Sequence, residues 1–332
     1  MTDPLLHAYL PLVLWTGLGL LIVPLLPEQV PRLLGRGLYW VGGPLQIFTL
    51  ARQTEFVVEE GFVPALVAIA LLVSLMCSWV SLQCMRWQRV PIEASVASPA
   101  PPQRGQDPAT HGSFVLASML GNTGFVGLAV APSFVGEEAL GWLVLFSVTN
   151  NVIGTYGLGV VIASFYGRSH PHQQWWIPVR DLLTVPSLWA FGIGLSSRPV
   201  RLPVIVESGL HYSLWFIIPT ALLLMGIRLR QIRGWHSLQR AIVPTLIKVI
   251  VQPTAIAGVT ILLGLATMPR LAMVLMAGMP TAFAGLILAE EYELDRDLIA
   301  SSIVLTTVTL LLTVPVWFWM FGHRPEMISL FF

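Results

Sequence analysis

A chain of 332 residues with 55% hydrophobic and only 11% charged side chains cannot be mostly exposed to water, because soluble domains carry about 25% charged residues. With a net charge of +1, no basic surface argues for nucleic-acid binding. Cys77 and Cys84 lie seven residues apart in one apolar run, about 10 Å along a helix, which is too far for a disulfide. The composition predicts an all-α polytopic membrane protein whose main partner is the lipid bilayer.

The chain begins Met-Thr-Asp-Pro-Leu-Leu-His, without the basic segment of a signal peptide, so the first apolar run is expected to remain as a helix. Ten apolar stretches are long enough, or nearly so, to span a bilayer. They cover residues 8–27, 36–51, 61–85, 113–135, 139–165, 182–197, 204–227, 241–265, 271–289 and 298–321. The second and sixth are short and would be tilted or partly interfacial. Residues 86–112, rich in Pro, Gln, Ser and Ala, predict a flexible loop between helices three and four.

The arginines predict an orientation. If the amino terminus lies outside, twelve arginines fall in cytoplasmic connections and five in outer ones, so the positive-inside rule predicts both termini outside. The twelve are Arg32, Arg36, Arg86, Arg89, Arg104, Arg168, Arg180, Arg228, Arg230, Arg233, Arg240 and Arg296. The five are Arg52, Arg198, Arg201, Arg270 and Arg324. Seventeen arginines against one lysine are typical of a GC-rich bacterial genome, and we expect a multi-pass protein of the bacterial inner (plasma) membrane.

An internal repeat is visible in predicted helices four and nine. Residues 122–130 and 280–288 share Thr, Phe, Gly and Leu at four of nine positions, and predicted helices two and seven share Pro44 and Pro219. Chance similarity between apolar segments is the alternative. Five helices in each repeat would force the halves into opposite orientations, and such inverted repeats recur in secondary transporters. The predicted halves are residues 1–165 and 166–332.

Two predicted helices contain residues that interrupt a helix. Helix four carries Gly121, Asn122, Thr123 and Gly124, and helix nine carries Met279, Pro280 and Thr281. Gly and Pro weaken a continuous helix, and unwound backbone in a membrane is tolerated only where it lines a cavity or is buried in protein. Half-helix amino termini would present free N–H groups and partial positive charge to an anion. The alternative is close helix packing through small residues with an ordinary proline kink.

Three further polar residues lie inside predicted helices. Lys248, the only lysine, would either face the broken helices, pairing with an anion or with half-helix carbonyls, or extend to the cytoplasmic interface. Asn150 and Asn151 would either bond another helix or offer carboxamides to a solute. A weaker group in helix ten is expected to bond back to its own helix. It comprises Ser301, Ser302, Thr306 and Thr307.

Acidic residues are scarce within the spans. Apart from Glu207, near the predicted outer end of helix seven, no acidic residue lies clearly inside one, which argues against a proton antiporter built on a membrane-embedded aspartate pair. An acidic cluster between residues 290 and 297 predicts a solvated cytoplasmic loop, with a gating role as the alternative. The sequence has no nucleotide-binding loop, nucleophile elbow or metal-ligand spacing. We therefore expect neither an enzyme nor a bound cofactor or metal.

Several segments together resemble the auxin efflux carrier family, which includes plant auxin carriers and bacterial permeases for malonate and related organic anions. These segments are Gly-Asn-Thr-Gly-Phe-Val-Gly-Leu (121–128), Met-Pro-Thr-Ala (279–282), Leu-Ala-Glu-Glu-Tyr (288–292), Ala-Ser-Ser (300–302), Lys-Val-Ile-Val-Gln-Pro (248–253), and Pro219 seven residues before Gly226. The resemblance implies ten helices in two inverted repeats, with a scaffold part and a transport part that move against each other. It also implies that helices four and nine cross at the substrate site, near Asn122 and Pro280. Ala129 stands where the family usually has a proline, which leaves open whether the break in helix four is displaced.

The expected function is that of a secondary active transporter, an efflux carrier of a small organic anion such as an auxin-like carboxylate or a dicarboxylate. One alternative is a sodium-coupled symporter of the bile-acid type, which would bind sodium through unwound carbonyls and Asn and Thr side chains. Another is a membrane sensor that binds without transporting. Proton or sodium coupling, the direction of transport and a homodimer are left open by the sequence.

Overall fold

Helices make up nearly all of the chain that the computed structural model describes, namely residues 2–27, 29–53, 58–87, 108–136, 139–167, 176–229 and 235–322. The predicted cytoplasmic or outer positions of Arg89, Arg104, Arg168, Arg230, Arg233 and Arg324 lie outside these residues. The α-helices are α1 (Thr2–Ile22), α2 (Val30–Gly37), α3 (Gly43–Gln53), α4 (Val63–Trp87), α5 (Pro108–Met119), α6 (Leu128–Val130), α7 (Leu140–Thr149), α8 (Gly159–Gly167), α9 (Trp176–Leu183), α10 (Pro186–Ser196), α11 (Val204–Leu229), α12 (Trp235–Leu246), α13 (Gln252–Leu262), α14 (Thr267–Ala277), α15 (Phe283–Glu291) and α16 (Arg296–Phe321).

The described residues contain four π-helical segments, three of which continue directly from one α-helix into the next, while the fourth follows a break in the helix. They are Leu38–Gly42 between α2 and α3, Thr123–Gly127 before α6, Asn150–Leu158 between α7 and α8, and Ile247–Val251 between α12 and α13. A π-helical turn inserts an extra residue into the helix and is frequent at functional sites. The four segments therefore mark positions where the helices depart from regular α-helical geometry.

The all-α fold agrees with the prediction, and several helices can cross a bilayer. Within the described residues, five helical stretches are long and apolar enough to do so by length and composition. They are Glu60–Met85, Leu140–Gly167, Val204–Arg228, Ser237–Leu262 and Arg296–Phe321. Shorter apolar helices cover Tyr9–Leu25, Thr123–Ser133 and Thr267–Ala277. The ten-helix architecture of two inverted repeats stays a prediction.

Some predicted boundaries were wrong. The loop predicted at 86–112 is helical at both of its ends, because α4 continues to Trp87 and α5 already begins at Pro108. Proline is favoured in the first turn of a helix, where its missing N–H would have no partner, and His111 is buried in the same turn. The remaining residues of that loop, 88–107, lie outside the described residues.

The helices pack into two groups. The flanking group consists of α1, α2, α3, α10 and α11, with α1 packed along α11 and α10 packed along α3. The central group consists of α4 to α9 and α12 to α16, with extensive contacts between α12 and α16, α13 and α14, and α5 and α8. Contacts between the groups are fewer and run mainly from α1 and α11 to the segment around α6. A boundary between the groups therefore passes beside the interrupted helix four.

Two ion pairs stand near opposite ends of α11. Arg52 of α3 donates to Glu207 with an Nη2–Oε1 distance of 2.6 Å, and Arg228 Nη1 lies 3.0 Å from Glu290 Oε1. Glu207 and Arg228 are 21 residues apart, which is about 31 Å of helix. That distance matches the hydrocarbon core of a bilayer, about 30 Å thick. The charges therefore lie where a membrane-spanning α11 would meet water on each side.

Candidate functional site

The first helix break separates α5 from the π-helical segment Thr123–Gly127. Residues 120–122 are not helical, and Asn122 adopts φ −78° and ψ 60°. The Asn122 side chain caps the new helix, because its Oδ1 accepts from the main-chain N–H groups of Phe125 at 3.3 Å and Val126 at 3.4 Å. The break thus lies at Gly121 and Asn122. Ala129, where the family usually has proline, lies beyond the break, within α6.

The second break separates α14 from α15. The helix α14 ends at Ala277, and α15 begins at Phe283 with Ala282 as its amino-terminal cap. Alanine has no side-chain acceptor, so no side chain caps the amino terminus of α15. Pro280 lies between the two helices and cannot donate a main-chain hydrogen bond, which favours an interruption at this point.

The two breaks contact each other directly. The N–H of Asn122 donates to the carbonyl of Pro280 at 2.7 Å, and the N–H of Ala282 donates to the carbonyl of Leu120 at 2.8 Å. Gly121 and Thr281 form an antiparallel β-bridge between these bonds. Each unwound segment thus satisfies main-chain groups of the other, which is how irregular backbone becomes tolerable at membrane depth.

Side chains from two neighbouring helices hold the breaks in place. Asn150 Nδ2 donates to Gly121 O and to Thr123 Oγ1, both at 3.2 Å. At the other break, Thr306 Oγ1 accepts from the N–H of Thr281 at 3.0 Å. Thr306 also bonds back to Ser302 O, as the helix-ten hydroxyls were expected to do. Asn150 and Thr306 therefore play corresponding parts, one at each break.

Lys248 lies in the π-helical segment Ile247–Val251 and is only 1% exposed. Its Nζ donates to Ala277 O at 2.8 Å and to Gln252 Oε1. A Cβ placed on Gly121 would lie 2.9 Å from Nζ, so the ammonium lies against both breaks. The Lys248 side chain therefore binds the carbonyl at the end of a half-helix, which is one of the two roles considered from the sequence. It does not extend to the cytoplasmic interface of the membrane, which was the other.

A small cavity lies where the two breaks meet α3. Its lining combines α3, both breaks and the π-helical segment Asn150–Leu158. The lining residues are Gly43, Gln46, Ile47, Gly121, Asn122, Gly124, Phe125, Asn151, Tyr156, Ala282, Phe283 and Ala284. Since α3 belongs to the flanking group and the other elements to the central group, the cavity lies at the boundary between the two groups.

The structure brings together only part of the predicted site at the cavity surface. Gly121, Asn122, Gly124 and Asn151 line the cavity. The other predicted residues are buried behind it or pair with the break, as the hydrogen bonds above describe. They are Thr123, Asn150, Lys248, Met279, Pro280 and Thr281. A solute-binding role for any of these residues stays a prediction.

The cavity lining is uncharged and rich in hydrogen-bond donors. Within the described residues, the N–H groups of Phe283 and Ala284, at the uncapped start of α15, have no hydrogen-bond acceptor. The start of a helix carries partial positive charge, about +0.5 of an elementary charge. Asn122 Nδ2 likewise has no acceptor among the described residues, because the cap uses Oδ1. These groups can donate hydrogen bonds to an anionic or carbonyl oxygen.

The cavity is too small for an organic solute in this conformation. The space open to the centre of a water-sized molecule is about 20 Å³. One water needs about 10–15 Å³ by this measure. An organic solute needs a pocket of several hundred Å³. The lining can therefore admit such a solute only after the two helix groups move apart.

Sequence reasoning missed three polar residues of this region. Gln46, in α3, lines the cavity, and its Nε2 donates to Gly124 O at 2.8 Å. Tyr156 also lines the cavity and lies beside Gly43. Gln252 accepts from Lys248 and donates from Nε2 to Ala70 O at 3.1 Å. The available signals were a glutamine inside an apolar span, and a glutamine four residues after a membrane-embedded lysine.

Over the described residues, no group of three or more His, Cys, Asp or Glu side chains is arranged to hold a metal ion. Cys77 is half-buried, Cys84 is exposed, and neither forms a disulfide. The chemistry on offer at the cavity is therefore hydrogen bonding and helix-terminal electrostatics.

A bundle of apolar helices with two mutually paired breaks defines a polytopic membrane protein of the transporter class. Comparison with known proteins agrees: residues 180–318 match the family model described as membrane transport protein. An uncharacterized transporter of Methanocaldococcus jannaschii is 28% identical over 63% of this chain and 68% of its own length. Another, of Methanothermobacter thermautotrophicus, is 26% identical over 65% of this chain and 70% of its own. These matches confirm the resemblance seen in the sequence: the chain is similar to membrane transport proteins of the auxin efflux carrier family.

Proposed function

We propose that this protein is a secondary active carrier of a small organic anion, which binds where the two helix breaks meet. The observation that carries the proposal is the donor-rich, uncharged lining at the uncapped amino terminus of α15. A carboxylate placed there would accept from the Phe283 and Ala284 N–H groups and from Asn122 Nδ2. Such helix-terminal donors bind anions without a charged side chain.

Alternating access would proceed by movement of the central group against the flanking group. The cavity lies between the groups and is too small for an organic solute, so binding would require their relative displacement. Within the central group the breaks are tied to one another and to Lys248, Asn150 and Thr306, and would move as a unit. Inverted repeats and discontinuous helices are characteristic of such carriers.

One ion pair would have to break during that movement. Arg228 belongs to α11 in the flanking group, whereas Glu290 belongs to α15 in the central group. The Arg228 guanidinium also lies 6.0 Å from the centre of the Phe283 ring, which lines the cavity. The pair therefore closes the boundary between the groups on the predicted cytoplasmic side, which gives the acidic end of helix nine the gating role considered from the sequence.

Two other functions make different predictions. A sodium-coupled symporter would require a cation site at the unwound carbonyls, but Ala277 O already accepts from Lys248. A sensor would bind the anion and produce no flux. Transport in proteoliposomes separates the carrier from the sensor, and replacement of sodium by choline separates the carrier from the symporter.

The location and orientation follow the sequence predictions. We propose that the protein lies in the bacterial inner (plasma) membrane with both termini outside, and that it exports its substrate. The sequence leaves open whether it forms a homodimer. Labelling of single cysteines near Arg52 and Arg240 from either side of sealed vesicles would test the orientation. Reagent confined to the outer side should reach only the site near Arg52.

The decisive experiment uses the purified chain in two steps. First, thermal stability is measured with a series of mono- and dicarboxylates, including an indole acetate and short dicarboxylates, each in sodium and in choline buffer. Second, any stabilising anion is tested for flux in proteoliposomes. Stabilisation and flux that saturate with the same anion support the carrier; an absence of both for every organic anion overturns it.

A further inference from the structure

The carboxyl end of α14 is an electronegative site buried inside the protein. The last four carbonyls of a helix lack intrahelical partners, and the end of the helix carries partial negative charge. Here that end is enclosed, with Ala277 1% and Met279 0% exposed. A buried carbonyl without a partner is costly, so this helix end requires a donor or a cation.

Lys248 supplies both from one side chain. Its ammonium is bound by two neutral oxygens, Ala277 O at 2.8 Å and Gln252 Oε1. Within the described residues no carboxylate lies within ion-pair distance of Nζ. Gln252 is oriented in turn by the bond from its Nε2 to Ala70 O in α4. Carbonyl and amide oxygens, without an acidic residue, are the kind of ligands that proteins offer to monovalent cations.

We infer that the oxygens around Lys248 Nζ form a monovalent-cation site which the chain permanently fills with its own ammonium. The ammonium is a resident cation that neutralises the carboxyl end of α14 and keeps the two breaks in register. Transport would then need no sodium at this site, because the positive charge remains there throughout the cycle. Only this transport consequence rests on the proposed carrier function; the site itself does not.

The test is the rescue of a lysine-deleted protein by added cations. Lys248→Ala removes the ammonium and leaves space beside the oxygens, whereas Lys248→Met removes the charge and fills much of the space with an apolar chain. The purified full-length variants and the unsubstituted protein are melted in choline, sodium, potassium and ethylammonium chloride at equal ionic strength. Flux of a stabilising anion is measured in sodium and in choline.

The unsubstituted protein should melt at the same temperature in all four salts. Lys248→Ala should melt several degrees lower in choline and regain at least half of that loss in ethylammonium or sodium, because a small cation enters the vacated site. Lys248→Met should be destabilised in every salt, because it leaves no room for a cation. Recovery of folded Lys248→Ala from membranes only in the presence of a small cation would support the same conclusion.

Three results would overturn the inference. One is equal destabilisation of Lys248→Ala in all four salts, and another is unchanged stability of both variants in choline. The third is failure to recover folded Lys248→Ala in any salt while Lys248→Met behaves like the unsubstituted protein. Because the melting experiment uses no organic anion, it can fail while the carrier proposal stands, and the reverse also holds.

Discussion

The pair formed by Arg228 and Glu290 allows the alternating-access proposal to be tested with a single neutral substitution. Glu290→Gln keeps the shape of the side chain and removes its charge. The pair joins the flanking group to the central group at a distance of 3.0 Å, with side chains only 11% and 19% exposed. The substitution should therefore destabilise the conformation described here relative to conformations in which the two groups have separated.

The size of the effect follows from the burial of the pair. Exposed ion pairs contribute about 0–1 kcal/mol, and removing one partner of a fully buried pair costs about 3–5 kcal/mol. This pair lies between those limits, and Arg228 keeps a second, weaker bond from Nη2 to Pro31 O at 3.4 Å. A loss of about 1–3 kcal/mol corresponds to a shift of about 5- to 150-fold in the ratio of the two conformations.

A buried thiol in the cavity can report that shift. Ile47 lines the cavity and is buried, so Ile47→Cys, with Cys77 and Cys84 replaced by alanine, should react slowly with a membrane-permeant maleimide. When opening is rare and rapidly reversed, the labelling rate is proportional to the population of open protein. Glu290→Gln should raise that rate at least fivefold.

A matched control is available at the same end of the molecule. Arg240 and Asp295 form a pair at 2.9 Å, but both residues belong to the central group. Arg240→Gln should leave the labelling rate within about twofold, since breaking this pair separates no groups. If Glu290→Gln labels no faster than Arg240→Gln, the pair does not hold the groups together and the reasoning is refuted.

Three further substitutions test the packing, the second break and the cavity. A Cβ on Gly226 would lie 1.9 Å from a main-chain oxygen of α1, so Gly226→Ala should lower the free energy of unfolding by about 1–3 kcal/mol. Gly209→Ala in the same helix should not, because a Cβ there would meet nothing within 4 Å. Equal denaturation midpoints for the two variants would contradict the packing of α11 against α1. Thr306→Val should cost about 1–3 kcal/mol because it leaves a main-chain N–H of the second break without its acceptor, whereas Thr309→Val should be nearly neutral, and both are measurable by thermal unfolding. Asn122→Asp keeps a capping oxygen but adds a negative charge to the cavity, so it should abolish stabilisation by organic anions in the melting screen; retained stabilisation would place the anion elsewhere.

Features that depend on local composition were predicted from the sequence. Hydrophobic runs identify apolar helices because transfer into lipid is nearly additive along the chain. The glycines and prolines of helices four and nine mark the interruptions because their backbone preferences act within a few residues, and both breaks lie where the sequence placed them, at Asn122 and around Pro280. The break lies at Gly121 and Asn122 although position 129 is alanine.

Features that depend on which segments meet were decided only by the tertiary structure. Gln46 and Tyr156 join the cavity from segments more than a hundred residues apart, and nothing local shows that their helix faces point toward the same space. Both alternatives for Lys248 were compatible with its position in helix eight. Its burial beside Ala277 O, 29 residues away, was settled by the packing of α13 against α14. The sequence by itself thus determined a membrane protein with two interrupted helices, because hydrophobicity and backbone preference are local. The pairing of the breaks, the small size of the cavity and the partner of the lysine required the folded chain, because contacts between distant segments form only when the helices pack.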